Sequence, residues 1–297
     1  MGPKISVVIP TIEEESVFAL IRSIRKLLAG AEIIVVDKSG EAYYRRLKGT
    51  GAVVIRQKDR GVENAVMQGL RHAHGDILAS VDGDATHDIS GIADGVRLVE
   101  RGRADLVLGS RMRHLQNGSM DGYLRFGNSL LSKMFSVLYK ARVDDVLTGL
   151  FVVRREAFDS IRNVDPYRAG IAFFAIELAR RGYRVSQVDI RYYKRQYGES
   201  KLTRSKLAYG INVASHLARQ LRDYSPLLVF GGIGVIVIII GLAIGIGVIL
   251  QYLSSGTFTL TGRALLAFLM VVVGFLFFVA GLILDVLIEI EKKLMKM

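Results

Sequence analysis

Two aspartates separated by one glycine, Asp82-Gly83-Asp84, close the apolar run 76–82. Carboxylates one residue apart point to opposite faces of a strand. Where the strand ends in a turn, both can swing toward one divalent cation, and hard oxygen ligands suit Mg²⁺ or Mn²⁺. Positions such an ion leaves open can be taken by phosphate oxygens, and Gly83 allows close backbone approach. The competing reading is a solvated acidic turn that caps a helix starting near Ile89. Asp37 ends the run 32–37 in the same way, either as a contact to the base or ribose of a nucleotide or as a turn residue. Arg60-Gly61 precedes a helical stretch, 62–74, where a basic group and backbone N–H groups would meet a phosphate. Ser110-Arg111 follows the run 105–109. The five histidines share no metal-ligand spacing, and His87 reads as a helix-start residue.

The pattern of elements explains why these residues belong together. Short β-branched runs at 5–10, 32–37, 52–56, 76–82 and 105–109 alternate with helical-period stretches at 14–29, 62–74 and 88–102. Alternation of this kind predicts an α/β fold, a mainly parallel sheet with helices on both faces. Ligands of such sheets bind at the carboxyl ends of strands. Pro10–Glu14, Asp37–Gly40, Asp82–Asp84 and Ser110-Arg111 are the residues placed there. Farther on, Tyr123–Arg142 reads as a helix with Leu124, Leu131, Phe135 and Leu138 along one stripe. A helix over 168–182 carries Glu177, to which no catalytic role is given. The stretch 203–222 aligns Leu207, Ile211, Ala214, Ala218 and Leu221 among basic residues. Helices 123–142 and 203–222 are candidates for the membrane interface, apolar side down. For the first, packing against the sheet is the equal alternative.

Read in order, V-V-I-P-T-x-E-E, V-V-D, R-G-x3-A-V, D-G-D, G-S-R, T-G-L-F-V-V-R-R and Y-G-E-S-K-L resemble glycosyltransferase family 2 over residues 4 to 205. The nearest branch is the polyprenyl-phosphate type, that of the dolichol-phosphate mannose synthases. The resemblance implies a GT-A (Rossmann-like) nucleotide-sugar fold, a divalent cation, and inverting transfer of a hexose to a polyprenyl or dolichyl phosphate. It places Pro10, Glu14 and Asp37 at the nucleotide, and Asp82 and Asp84 at the metal; Arg60 joins the donor residues on the Arg-Gly reading above. Arg111, Arg125 and Ser129 fall where the family holds the acceptor phosphate. Arg195, Ser200 and Lys201 fall in the segment that closes over the diphosphate. Lys38 stands where the family usually has a second Asp, Ile12 where an aromatic is common, Thr86 in place of Gln and Glu13 in place of Asn. These departures leave GDP-mannose, the favoured donor, and UDP-glucose both open.

A lipid phosphate monoester has its second pKa near 6, so its attacking oxygen is already anionic at neutral pH. Catalysis then needs alignment and positive charge rather than a base. Guanidinium forks at Arg111 and Arg125 match phosphate oxygens; surface salt bridging is the alternative. A phospholipid or diacylglycerol acceptor with a neutral hydroxyl would require a base, and none stands beside Asp84. A noncatalytic membrane scaffold is the reading of another class. A sugar nucleotidyltransferase lacks the glycine-rich N-terminal signature it would need.

Composition limits the rest. The chain has 297 residues, 51% hydrophobic and 23% charged, with no cysteine. Disorder, a disulfide scaffold, thiolate zinc and a cysteine nucleophile are excluded. Residues 227–250 and 264–284 carry no charge and, as helices, would span roughly 36 and 31 Å against a hydrocarbon core of about 30 Å. The N-terminus has no signal-peptide pattern. Eight Lys/Arg and one acid lie between Arg191 and Arg222, and Lys292, Lys293 and Lys296 follow the second span, whereas the loop between spans holds only Arg263. Both ends of a hairpin are therefore expected in the cytoplasm. The net charge of +12 is concentrated before the membrane, which points to anionic headgroups rather than nucleic acid. The expected organisation is a cytoplasmic catalytic domain over 1–202, an amphipathic juxtamembrane helix over 203–225, and a two-helix hairpin with basic tail over 226–297. Small residues such as Gly241 and Gly245 can pack helices within one chain or between chains.

Overall fold

Most strands form on short apolar runs rich in Val and Ile, such as ISVVIPT and EIIVVD. In the computed structural model, which describes residues 4–116, 120–166, 170–194, 226–256 and 261–294, the chain divides into two compact units, Met1–His216 and Leu217–Met297. The first contains a seven-stranded sheet in the order β3-β2-β1-β4-β6-β5-β7. Its strands are β1 (Ile5–Thr11), β2 (Glu32–Asp37), β3 (Val53–Arg56), β4 (Ile77–Ser80), β5 (Leu106–Leu115), β6 (Phe151–Arg154) and β7 (Val185–Tyr192). Both faces of β1 and β4 are covered, so Val7, Val8, Ile9, Leu78 and Ala79 are all fully buried. That burial explains apolar runs with no polar alternation.

The helices are α1 (Ser16–Leu27), α2 (Glu41–Lys48), α3 (Val62–His72), α4 (Ser90–Glu100), α5 (Gly122–Tyr139), α6 (Arg155–Ile161) and α7 (Phe173–Arg180). Three helix–sheet approaches need glycine: a Cβ at Gly69 of α3 would overlap Val8, one at Gly91 of α4 would overlap Ile190, and one at Gly95 of α4 would lie 2.7 Å from Val152.

Two details differ from the sequence reading, and one alternative left open is decided. Strand β6 runs antiparallel to both neighbours, β4 and β5, within an otherwise parallel sheet. Its four residues turn the 144–150 loop back to the carboxyl edge. Strand β5 does not stop at Gly109; it continues through Leu115 beside β7, with an irregularity between Ser110 and His114. Of the two readings of the stripe in Tyr123–Arg142, packing against the sheet is the one met, since Leu131 and Phe135 are buried. The expected 203–222 helix lies outside the described residues.

In the second unit, a π-helical turn, Leu227–Gly231, leads into α8 (Gly232–Ser255), and α9 (Thr261–Leu294) follows. Both are long and apolar enough to cross a membrane, with mean hydropathies of 3.1 and 2.9. Their contact is made by small residues seven apart: Gly234, Gly241 and Val248 on α8 are buried, as are Ala267, Gly274 and Gly281 on α9. A Cβ on Gly234 would lie 2.5 Å from the Gly274 carbonyl, and one on Gly274 2.7 Å from the Gly234 carbonyl. A repeat of seven keeps one seam in contact along two helices, and Gly241 is used within the hairpin.

Candidate active site

The carboxyl ends of β1, β2 and β4 define one edge of the sheet. Antiparallel β6 adds the loop before it to the same edge. Asp82 and Asp84 sit just past β4. Gly149 gives Asp82 its seat, because a Cβ there would overlap the Asp82 carboxylate. Gly83 passes close to β1: a Cβ would stand 3.0 Å from the Pro10 carbonyl. Its own carbonyl accepts from Ser16 Oγ at 2.9 Å. Asp84 Oδ1 accepts from both the Thr86 amide (3.1 Å) and the Thr86 hydroxyl (2.7 Å). Thus Thr86, where the resemblance expects a Gln, orients a carboxylate.

His87 lies beneath this turn and does not start a helix, since α4 begins at Ser90. It pairs across to Tyr192 as an isolated bridge, with the rings edge-on at 5.2 Å. Nδ1 is 4.0 Å from Asp82 Oδ2, too far for a hydrogen bond. Burial, with the Arg111 charge adding to it, holds the imidazole down to about 4. At neutral pH His87 is uncharged, and the contact is not an ion pair.

Arg111 is buried. Its Nε donates to Asp145 Oδ2 at 2.7 Å, and Nη2 donates to Asp145 Oδ1 at 2.8 Å and to the Leu147 carbonyl at 3.0 Å. Asn128 of α5 donates to the same Asp145 Oδ1 at 2.6 Å, and the Arg111 amide donates to Oδ2 at 3.0 Å. Burial alone would raise the Asp145 carboxyl, but the Arg111 charge and these donors outweigh it and hold the pKa below the usual carboxylate range. The Arg111 guanidinium faces the Tyr192 ring at 5.3 Å. Among the described residues Nη1 makes no hydrogen bond.

Arg125 and Ser129 lie one helical turn apart on α5 and are exposed. They flank Asn128, so the Asp145 network also fixes the turn that carries them. On the other side of β1, Asp37 is wholly buried. Its Oδ1 accepts from the Ser39 amide and hydroxyl, and its Oδ2 from Arg56 Nη1 at 3.1 Å. Ser39 Oγ accepts from the Glu13 amide at 2.6 Å, and the Tyr43 hydroxyl donates to the Glu14 carbonyl at 2.5 Å. Pro10, Glu14 and Asp37 therefore share one wall with Gly83. Arg60 is exposed, and its carbonyl accepts from Asn64. Arg195, Ser200 and Lys201 lie outside the described residues.

Asp82 and Asp84 suit a divalent cation. Asp82 is about one-third exposed, with its side chain at 34%, and both residues are half-buried at the strand end. No set of three or more His, Cys, Asp or Glu suited to a metal occurs among the described residues. Two carboxylates with the remaining positions open match Mg²⁺, which keeps waters and takes substrate phosphates.

The sequence reading missed Asp145, Asn128 and Gly149. The string Asp144-Asp145-Val146-Leu147-Thr148-Gly149 offered only a local signal, two acids and a glycine ahead of an apolar run; the antiparallel direction of β6 is what brings it to the ligand-binding edge.

This arrangement is that of a GT-A-type nucleotide-sugar transferase. Solved structures sharing the fold include glucosyl-3-phosphoglycerate synthase from Mycobacterium tuberculosis in complex with UDP. Its TM-score is 0.55 at 21% identity, covering 73% of this chain and 80% of that one. Mannosyltransferase PcManGT from Pyrobaculum calidifontis, in complex with GDP-Man and Mn2+, gives 0.51 at 19% identity, covering 75% and 65%. The chain belongs to glycosyl transferase family 2, whose profile matches residues 6–162, over half its length. A low-salt glycan biosynthesis hexosyltransferase, Agl6, of Haloferax volcanii is 28% identical over 68% of this chain; the match spans only half of that relative's length. The dolichol-phosphate mannosyltransferase of Pyrococcus furiosus is 28% identical over 67% of this chain and 59% of its own. A dolichyl-phosphate hexose transferase of Haloferax volcanii is 29% identical over 64% and 82%.

Proposed function

We propose that the protein transfers a hexose, with inversion, from a nucleotide-sugar to a polyprenyl phosphate at the cytoplasmic face of a membrane. GDP-mannose is the first candidate donor. The observation carrying this reading is the convergence of the Asp82/Asp84 pair with the Arg111–Asp145–Asn128 network at one sheet edge. Relatives named for dolichol phosphate favour the lipid acceptor, and the two long apolar helices supply a membrane anchor.

Asp82 and Asp84 would hold Mg²⁺ or Mn²⁺, which when bound neutralises charge on the nucleoside diphosphate leaving group. Pro10 and Glu14 are assigned to the nucleoside end, with Asp37 buried behind them and held by Ser39 and Arg56. Arg60 lies at the mouth, and Arg195 and Lys201 are assigned to the diphosphate. Arg125 and Ser129, with Ser200, hold the acceptor phosphate, whose charge makes a base unnecessary. Arg111 meets that phosphate with Nη1 while Asp145 fixes the plane of the fork. Holding both phosphates leaves attack and departure in line, and this alignment is the main contribution required of the protein.

The deciding experiment presents GDP-mannose, UDP-glucose and other nucleotide-sugars with a purified polyprenyl phosphate and Mg²⁺ or Mn²⁺. Transfer from GDP-mannose supports the reading in full. Transfer from UDP-glucose instead would agree with Lys38 standing after Asp37, where a second carboxylate is missing. Nucleotide binding without transfer to any acceptor would leave a scaffold. Asp84→Asn is expected to abolish metal-dependent transfer in a folded protein, and full activity would remove the metal assignment. Arg125→Ala should raise KM for the lipid with little change for the donor.

A further inference from the structure

The outer face of α5 is apolar and uncovered. Tyr123, Phe126, Leu130 and Val137 recur at spacings of three, four and seven, opposite buried Leu131 and Phe135; Phe126 is 72% and Val137 70% exposed. At the C-terminal end of this stripe lies a wide, open cavity of about 520 Å³, a surface depression rather than an enclosed chamber, bordered by Arg113, Lys133, Val137, Lys140, Arg142 and Asp144. Its wall is preformed. Ser136 Oγ donates to the Val143 carbonyl at 2.7 Å and accepts from the Val143 amide at 3.2 Å. Lys140 takes a left-handed conformation, φ 52°, which turns the chain back toward the helix.

The charges decide what the cavity would hold. Arg113 is matched by Asp189 at 3.0 Å and approaches Asp144 at 3.9 Å. Lys133, Lys140 and Arg142 have no carboxylate within ion-pair distance among the described residues. The helix C-terminus contributes only about half a negative charge, too little to balance three cations. An anion is the fitting occupant, and the adjoining exposed aliphatic residues call for one attached to acyl chains. We propose that this cavity holds the phosphate headgroup of an anionic phospholipid, with the outer stripe of α5 against the bilayer. The site lies at the far end of α5 from Arg125 and Ser129. It rests on the membrane placement proposed above and not on the transfer reaction.

The chain has no cysteine, so Val137→Cys, labelled with an environment-sensitive fluorophore, reports from the cavity rim of the full-length protein in detergent micelles. Titration with phosphatidylglycerol should give a saturable blue shift. Phosphatidylcholine and inorganic phosphate at the same concentrations should not. Each cation near an anionic lipid surface contributes about 1 kcal/mol, or roughly fivefold in affinity. Lys133→Gln, Lys140→Gln and Arg142→Gln combined should therefore weaken the response about a hundredfold, and Lys140→Gln alone about fivefold should the triple variant lose its fold. An equal response to phosphatidylcholine, an equal response to inorganic phosphate, or undiminished affinity in the variants would overturn the proposal. Hexosyl transfer measured on the same variants in detergent should stay at the wild-type level. Absence of transfer in every protein, wild type included, with phosphatidylglycerol binding intact would refute the reaction and leave the lipid site standing.

Discussion

Arg111 and Asp145 form a buried ion pair whose value lies in geometry more than in stability. Desolvation of two charges consumes most of their attraction, but removing one partner strands the other and costs about 3–5 kcal/mol. Asp145→Asn should destabilise the catalytic unit by that amount, measured by thermal unfolding, and should lower transfer even where the protein remains folded. The sign of the pH effect follows from the depressed Asp145 pKa. Its contribution is fully present above the unfolded carboxylate value, about 3.9, and is lost as pH falls through the lower folded value. Stability should thus be level in this respect near neutrality and decline only in strong acid. Gly149 offers a separate test. Gly149→Ala places a methyl against the Asp82 carboxylate and should weaken Mn²⁺ binding, because a carboxylate displaced from its seat no longer meets the ion in its preferred geometry. Unaltered Mn²⁺ affinity by electron paramagnetic resonance would remove the seat assigned to Asp82.

At the scale of elements, what the sequence made legible depended on whether one strand or helix explained its own residues. β1, β2 and β4 were readable because burial on both faces demands uninterrupted apolar runs, and their ends point to Pro10, Asp37 and Asp82. β6 was not readable as an antiparallel strand, since Phe151–Arg154 has no local feature that states its direction. With its direction hidden, Asp145 and Gly149 had no visible place at the edge. α5 carries apolar residues on two opposite faces, so periodicity alone could not say which stripe meets the core; Leu131 and Phe135 do. The hairpin seam was hidden for another reason: a seven-residue repeat of small residues is faint inside helices that are apolar all round. Gly274→Leu should push α8 and α9 apart, because added volume in a close contact costs about 1–3 kcal/mol or more. Gly247→Leu, where nothing lies within 4 Å, is the matched control. Thermal unfolding in micelles should separate the two, and equal stability would show that the seam is not a packing contact.

For the whole molecule, orientation is the property on which the proposed transfer to a polyprenyl phosphate depends, because the proposal draws the donor from the cytoplasm and the acceptor from the bilayer. The basic residues from Arg191 to Arg222 and at 292–296 favour retention of both hairpin ends on the cytoplasmic side, where each translocated Lys or Arg is disfavoured. On the orientation proposed above, the residues that join α8 to α9 would lie in the opposite compartment. A cysteine-free chain lets this be read with single substitutions. Ser254→Cys, exposed at the end of α8, should react with a membrane-impermeant maleimide on intact cells, whereas Lys48→Cys on α2 should react only after lysis. The opposite pattern would place the catalytic unit outside and separate it from cytoplasmic donors. If both positions react only after lysis, α8 and α9 do not form a spanning hairpin, and the acceptor would have to reach Arg125 and Ser129 from a surface to which the protein is merely adsorbed.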